Sequence, residues 1–170
     1  MLRALAAIAI LFGFLLGPAA PAALADHFEG WARVIRVVDG DTIVVAAPDG
    51  AFHTVRLYGV DAPERGQPGY EAARTFLTDL IFGCARSRFE PLRWCNTSPG
   101  RVWVEAGPRL LDPYGRSLYY VWLELDLEPA EFDPFDGWHL ADAILVLEGL
   151  ARCWTRDGQY RDFVCRLENF

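Results

Sequence analysis

At 170 residues the chain has room for one domain and a leader, and a hydrophobic share of 52% with six tryptophans excludes a disordered polymer. The formal net charge of −7 excludes a protein that captures polyanions by bulk positive charge. No lysine occurs, so all 16 basic residues are arginines, the side chain better suited to two-pronged contact with phosphate.

The chain begins with a removable-leader pattern. Arg3 supplies a positive start, Ala4 to Leu16 is almost purely apolar, and Ala23-Leu24-Ala25 has the small-x-small form of a cleavage site. A membrane span needs roughly 18–20 apolar residues, and this run is shorter and breaks at Gly17-Pro18. Residues 1–25 are expected to be a signal peptide, with an uncleaved anchor as the alternative. Residues 26–170 then form one domain of a secreted or periplasmic protein. The four cysteines suit disulfides in that setting. Three pairings are open, and Cys84–Cys95 with Cys153–Cys165 is expected because both close short loops. A zinc site is not supported: no C-x2-C spacing exists, and His27, His53 and His139 lie far from the cysteines.

The acid is segregated. Residues 117–151 hold eight of the 23 acids and no arginine, leaving fifteen acids against the fifteen arginines that follow Arg3. Glu124, Asp126, Glu128, Glu131, Asp133, Asp136, Asp142 and Glu148 therefore account for the negative balance.

In chain order, Trp31 to Val38 alternates loosely and reads as a strand, Asp39-Gly40-Asp41 as a turn, and Thr42 to Ala46 as a second strand. Pro48-Asp49-Gly50 turns the chain back through a third strand, Phe52 to Tyr58. Gly59 to Gly69 is a loop. Ala73, Phe76, Leu77, Leu80 and Ile81 fall at helical spacing, which predicts a helix over Tyr70 to Phe82. Cys84 to Gly100 reads as an irregular excursion, Arg101 to Ala106 as a fourth strand, and Asp112-Pro113-Tyr114-Gly115 as a turn into a fifth, Arg116 to Leu125. An acidic loop, Glu128 to Gly137, precedes a helix over Leu140 to Leu147, and a last helix is expected over Gln159 to Glu168. Five short strands with a helix between the third and fourth indicate a mainly β, α+β fold: a five-stranded OB-type Greek-key barrel with two or three helices.

Some polar residues are not required by this strand logic. Asp39, Asp41 and Thr42 stand at the end of the first strand, Arg56 interrupts an apolar strand, Asp61 and Glu64 flank Ala62-Pro63, and Arg116 opens the fifth strand. Each has an ordinary structural reading: a turn, a solvated loop, an arginine with an apolar stem. Together they offer more. Two carboxylates at adjacent strand ends suit a hard cation such as calcium, two arginines can hold a phosphate, and a third carboxylate can take a proton from water.

The segments V-V-D-G-D-T-I (Val37 to Ile43), V-R-L-Y-G-V-D-A-P-E (Val55 to Glu64) and D-P-Y-G-R-S-L (Asp112 to Leu118) resemble the three signature segments of the staphylococcal, thermonuclease-like nuclease family. A-D-A-I-L-V-L-E-G-L-A (Ala141 to Ala151) is similar to that family's helix after the barrel, so the likeness runs from about Trp31 to Ala151. The resemblance implies an OB-type barrel with one Ca2+ ion held by Asp41, Asp61 and the main-chain oxygen of Ala62. It implies that Glu64 activates or orients the attacking water and that Arg56 and Arg116 stabilise charge on the phosphoryl oxygens. Asp39 and Thr42 would support the ligands from behind, and Tyr114 would touch phosphate or base.

The implied activity is endonuclease cleavage of the 5′ P–O bond of DNA or RNA, leaving 3′-phosphate ends, with nucleic acid as substrate and no obligate protein partner. Several departures concern the grip on substrate rather than the reacting groups. Pro113 replaces a lysine, only Arg65 follows Pro63-Glu64, and Trp154 and Thr155 stand where tyrosines are usual. The alternative reading is an OB barrel that binds nucleic acid or another partner without cutting.

Overall fold

The computed structural model describes residues 27–128, 138–154, 158 and 160–169. The expected signal peptide, and the acidic loop beyond Glu128, lie outside the described residues. Among the described residues no helix is long and apolar enough to cross a membrane.

Five strands close the barrel: β1 (Gly30–Val37), β2 (Thr42–Ala46), β3 (Phe52–Leu57), β7 (Arg101–Leu111) and β8 (Ser117–Glu128). The order is β3-β2-β1-β7-β8, and a parallel pairing of β3 with β8, Val55 opposite Ser117 and Leu57 opposite Tyr119, completes the ring. This is the OB-type arrangement expected from the strand pattern. Closure follows from the alternation. Ala32, Val34, Ile43, Val45, Val55, Val102, Val104 and Val121 point inward and are buried, while neighbours such as Arg33, Thr54, Arg101 and Trp103 face out. A register shift between Val34 and Arg36 explains the loose alternation at the end of β1 and brings Val37 back into the core.

The helix α1 (Tyr70–Phe82) closes one end of the barrel, burying Tyr70, Ala73, Phe76, Leu77, Leu80 and Ile81 as its spacing demands. α2 (Ala141–Leu147) is almost wholly buried, and α3 (Arg161–Arg166) runs into a short 3-10 turn, Leu167–Asn169.

Elsewhere the structure is more regular than the sequence suggests. The Cys84 to Gly100 excursion contains β5 (Cys84–Arg86) and β6 (Arg93–Asn96), and β6 pairs with the far end of β8. β8 has twelve residues, long enough to leave the barrel and template these short strands. The fourth strand runs on to Leu111, past Gly107 and Pro108, where the pairing with β8 is irregular and a proline is tolerated. Within the expected loop, β4 (Val60–Asp61) pairs with β10 (Arg152–Cys153), and Leu140 belongs to β9 (Trp138–Leu140) rather than to α2. Cys84 stands directly opposite Cys95 across β5 and β6 and is bonded to it. Cys153 is bonded to Cys165, which ties α3 to β10.

Candidate active site

Three chain turns converge at one end of the barrel. The first is the β1–β2 hairpin. Val38 N–H donates to Thr42 O at 2.8 Å, and Asp41 N–H donates to Asp39 Oδ1 at 3.2 Å. A Cβ on Gly40 would lie 2.7 Å from the Cβ atoms of both Ala62 and Ala73. Only glycine lets this hairpin lie flat against the 61–64 loop and α1. That contact brings Asp41 to Ala62, whose N–H donates to Asp41 Oδ2 at 2.8 Å. Thr42 Oγ1 donates to the other oxygen, Asp41 Oδ1, at 3.0 Å.

The second element is β3 with its following turn. Arg56 is 7% exposed although it is a strand residue in an apolar run. Both terminal nitrogens of its guanidinium are engaged. Nη1 donates to Leu57 O at 2.8 Å and Val60 O at 2.6 Å, and Nη2 lies 3.0 Å from Asp41 Oδ2 and 3.1 Å from Asp61 Oδ1. The Arg56 guanidinium carbon also lies 6.0 Å from the Trp154 ring centroid.

The third element is the β7–β8 turn. Asp112 Oδ1 accepts the N–H groups of Tyr114 and Arg116 at 2.8 and 2.9 Å, and Gly115, at φ 79°, completes the reversal. The second oxygen of Asp112 receives Arg116 Nε at 2.5 Å, and Arg116 Nη1 reaches Thr42 Oγ1 at 3.4 Å. Asp112 thus fixes both the turn and the direction of the arginine side chain.

Electrostatics follow from burial. Burial pushes the Asp41 carboxyl up to about 6, Asp39 adds to the rise, and Arg56, Ala62 N–H and Thr42 oppose it. Burial also acts on Asp112, but the hydrogen bonds and charge of Arg116, with the Tyr114 N–H, outweigh it and hold that carboxyl below 3.8. Asp61 is half exposed beside a cleft of about 640 Å3 lined by Ala62, Pro63, Gln67 and the 149–152 stretch.

Could these residues hold a metal ion? The donors are oxygens only, from Asp41, Asp61 and the Ala62 main chain, and one Arg56 nitrogen bridges both carboxylates, so they lie close enough to share a cation. Asp41 is costly to keep ionised where it stands, a cost a cation relieves. The set fits a hard cation. Among the described residues no cluster of three or more His, Cys, Asp or Glu side chains gathers as a metal site, so a site here would draw on two carboxylates and main-chain oxygen.

Asp39, Asp41, Thr42, Arg56, Asp61, Ala62, Tyr114 and Arg116 all lie on these three turns or the strand ends beside them, and hydrogen bonds or ion pairs link Asp39 through Arg116. Glu64 stands exposed in the loop after Ala62, its N–H donating to Gln67 Oε1 at 2.9 Å. Tyr114 is 84% exposed, with the Arg116 guanidinium carbon 5.6 Å from its ring centroid.

Two acids had no assigned role in the sequence reading. Asp112, inside a signature segment, aims Arg116. Asp142, fully buried on α2, accepts the Gly59 N–H at 2.9 Å and so holds the turn whose next carbonyl, Val60 O, receives Arg56. An acid on the apolar face of a helix was the available signal for it.

No protein-family model matches the chain. Individual proteins do. A thermonuclease of Staphylococcus hyicus is 32% identical over 152 residues, 89% of this chain and 76% of that protein. A thermonuclease of Staphylococcus intermedius is 31% identical over 153 residues, 89% and 77% of the two chains. A micrococcal nuclease of Shigella flexneri is 32% identical over 148 residues, 85% and 72%. Likeness at this level covers most of both chains in each pair, and the chain belongs to the staphylococcal, thermonuclease-like nuclease family.

Proposed function

We propose that the protein is a calcium-dependent endonuclease that hydrolyses phosphodiester bonds of DNA, RNA or both. One observation supports this reading above the others: Asp41, Asp61 and Arg56 form a compact charged cluster at the barrel end, next to an arginine aimed by its own carboxylate. Asp41, Asp61 and the Ala62 carbonyl are the residues that would hold one Ca2+ ion. When bound, the ion would supply positive charge to the phosphoryl oxygens.

The chain's own residues do the rest. Arg116 has its Nε fixed by Asp112, so its outer nitrogens are the ones presented to phosphate, and its planar fork matches two phosphoryl oxygens. Arg56 adds a second guanidinium at the same end. Glu64, exposed three residues beyond Asp61, takes the proton from the attacking water as that water bonds to phosphorus and the 5′ oxygen leaves. Asp39 and Thr42 hold Asp41 in place. Phosphoryl transfer asks mainly for positioning and neutralisation of charge, and these side chains provide both. Tyr114 is suited to cover the bound nucleotide.

Residues 26–170 are proposed to be the mature domain, released by cleavage after Ala25 and working outside the cytoplasm. The two disulfides support an oxidising compartment. Calorimetric titration with calcium tests the metal assignment. One ion per chain is expected for the parent and none at the same concentrations for Asp41→Asn. Equal binding by both would exclude Asp41 as a ligand.

A further inference from the structure

The outer face of the barrel carries a feature that the reaction site does not use. Trp31 on β1 stands opposite Trp103 on β7, and Trp103 stands opposite Trp122 on β8. One row of three indoles thus crosses three adjacent strands. The strand neighbours Ala32, Val102, Val104 and Val121 are buried in the core, which puts the three tryptophans on the outer side of the sheet, Trp122 partly covered by the Tyr160 ring with centroids 5.2 Å apart. Trp31 and Trp103 meet edge to face with centroids 6.0 Å apart, and the row lines an open groove of about 360 Å3. Trp103 keeps 38% of its surface exposed.

The next row supplies charge. Arg33 stands opposite Arg101 on the same two strands, both are exposed, and the Arg101 guanidinium carbon lies 4.5 Å from the Trp31 ring centroid. Like charges facing across a strand pair repel, an arrangement that an anion between them would stabilise. Among the described residues, Glu105, which lines the groove, and Glu124 beside it are held by hydrogen bonds. Glu105 accepts from Trp122 Nε1 at 2.8 Å and from the Tyr160 hydroxyl at 3.1 Å, and Glu124 accepts from Ser98 Oγ at 3.1 Å.

Aromatic faces beside guanidinium groups suit one polymer best. Single-stranded nucleic acid offers base faces that stack on indole whatever their sequence, and phosphates for the arginines. A duplex keeps its base faces hidden. We propose that Trp31, Trp103 and Trp122, with Arg33 and Arg101, form a stacking platform for single-stranded nucleic acid that is separate from the reaction site. Trp31 and Val37 are six residues apart on β1, about 20 Å along the strand, so the platform lies well away from the Asp39–Asp41 turn. A strand held there is retained between encounters with the cleft.

The test is equilibrium binding, in chelator, of a fluorescent single strand of about 16 nucleotides, the upper site size for one such barrel. Folding of each variant is checked by its thermal melt. Trp103→Ala is expected to weaken binding by about five-fold or more, the least that one lost stacking contact gives, while Trp103→Phe keeps an aromatic face and most of the affinity. Replacing Arg33 and Arg101 together by alanine should lower the slope of log affinity against log salt by about 1.4. The platform is overturned by wild-type affinity in Trp103→Ala, by equal losses in the alanine and phenylalanine variants, by an unchanged salt slope, or by preference for a soluble polysaccharide over the oligonucleotide.

Discussion

Arg56 and Asp41 face each other inside the mouth of the barrel, Nη2 lying 3.0 Å from Oδ2, with side chains only 8% and 6% exposed. The same nitrogen reaches Asp61 Oδ1 at 3.1 Å. A cation and the guanidinium therefore compete for one pair of carboxylates. Without metal, Arg56→Gln leaves buried Asp41 unopposed and should cost about 3–5 kcal/mol of stability. Calcium should restore a large part of it. Thermal melts with and without calcium are expected to show a greater calcium-induced rise in the variant than in the parent. Equal rises would mean that the cation does not bind at these carboxylates.

Glu64 is exposed and lies off the network that joins Asp39 to Arg116, so its removal should spare the fold. Glu64→Gln is expected to keep the parent melting temperature and calcium binding while lowering kcat by about 10²–10⁴, the span of general-base catalysis. Steady-state cleavage of a short oligonucleotide measures it. A rate near that of the parent would remove Glu64 from the reaction.

Arg116 does two jobs at once, with Nε on Asp112 and the outer nitrogens toward Thr42 and the open side. An ammonium has one head and cannot do both. Arg116→Lys should lose at least about tenfold in kcat/KM, or 1.4 kcal/mol, and Asp112→Asn should lose part of the same activity by releasing the arginine. A loss below about threefold in Arg116→Lys would reduce Arg116 to a turn residue.

Asp142 is the fold's costly acid. Burial pushes its carboxyl up to about 6, against opposing hydrogen bonds that include the Gly59 N–H, and Oδ2 has no hydrogen-bond partner among the described residues. Because its folded value is raised above 3.8, the folded chain binds the proton more tightly than the unfolded chain. Its favourable contribution is fully present below about pH 4 and is lost as pH rises through about 6. Asp142→Asn keeps an acceptor for Gly59 and removes the charge. The variant is expected to gain stability at pH 7.5 by on the order of 2 kcal/mol, with the gain disappearing near pH 4. Urea unfolding at the two values checks this, and a gain that does not depend on pH would show that the charge is not the cause.

Much of this was legible in the sequence because the motifs coincide with the turns. Asp39-Gly40-Asp41 and Asp112 to Gly115 are turn-forming by composition, and the parallel register of β3 with β8, Val55 opposite Ser117, brings them to one end. Both disulfide pairs were equally visible from their short loops. Other features depend on pairing that local pattern cannot reveal. β5, β6, β4 and β10 are two to four residues long, too short to show a period: β8 templates β6 and through it β5, while β4 and β10 pair with each other. The inner contacts of Arg56, which bind it to Leu57 O and Val60 O, depend on the tight turn at Gly59 that Asp142 holds from a distant helix. Trp31, Trp103 and Trp122 fall within the expected strands, but their alignment in one row on the outer side follows only from the register.

Digestion of single-stranded DNA by the purified protein, in calcium and again with excess chelator, tests the central claim most directly when the product ends are identified. The account requires rapid cleavage in calcium, 3′-phosphate ends, and no cleavage once the ion is removed. Undiminished cleavage in chelator would contradict the metal assignment. Binding without any cleavage in calcium would contradict the nuclease reading itself and leave a barrel that only holds its nucleic acid.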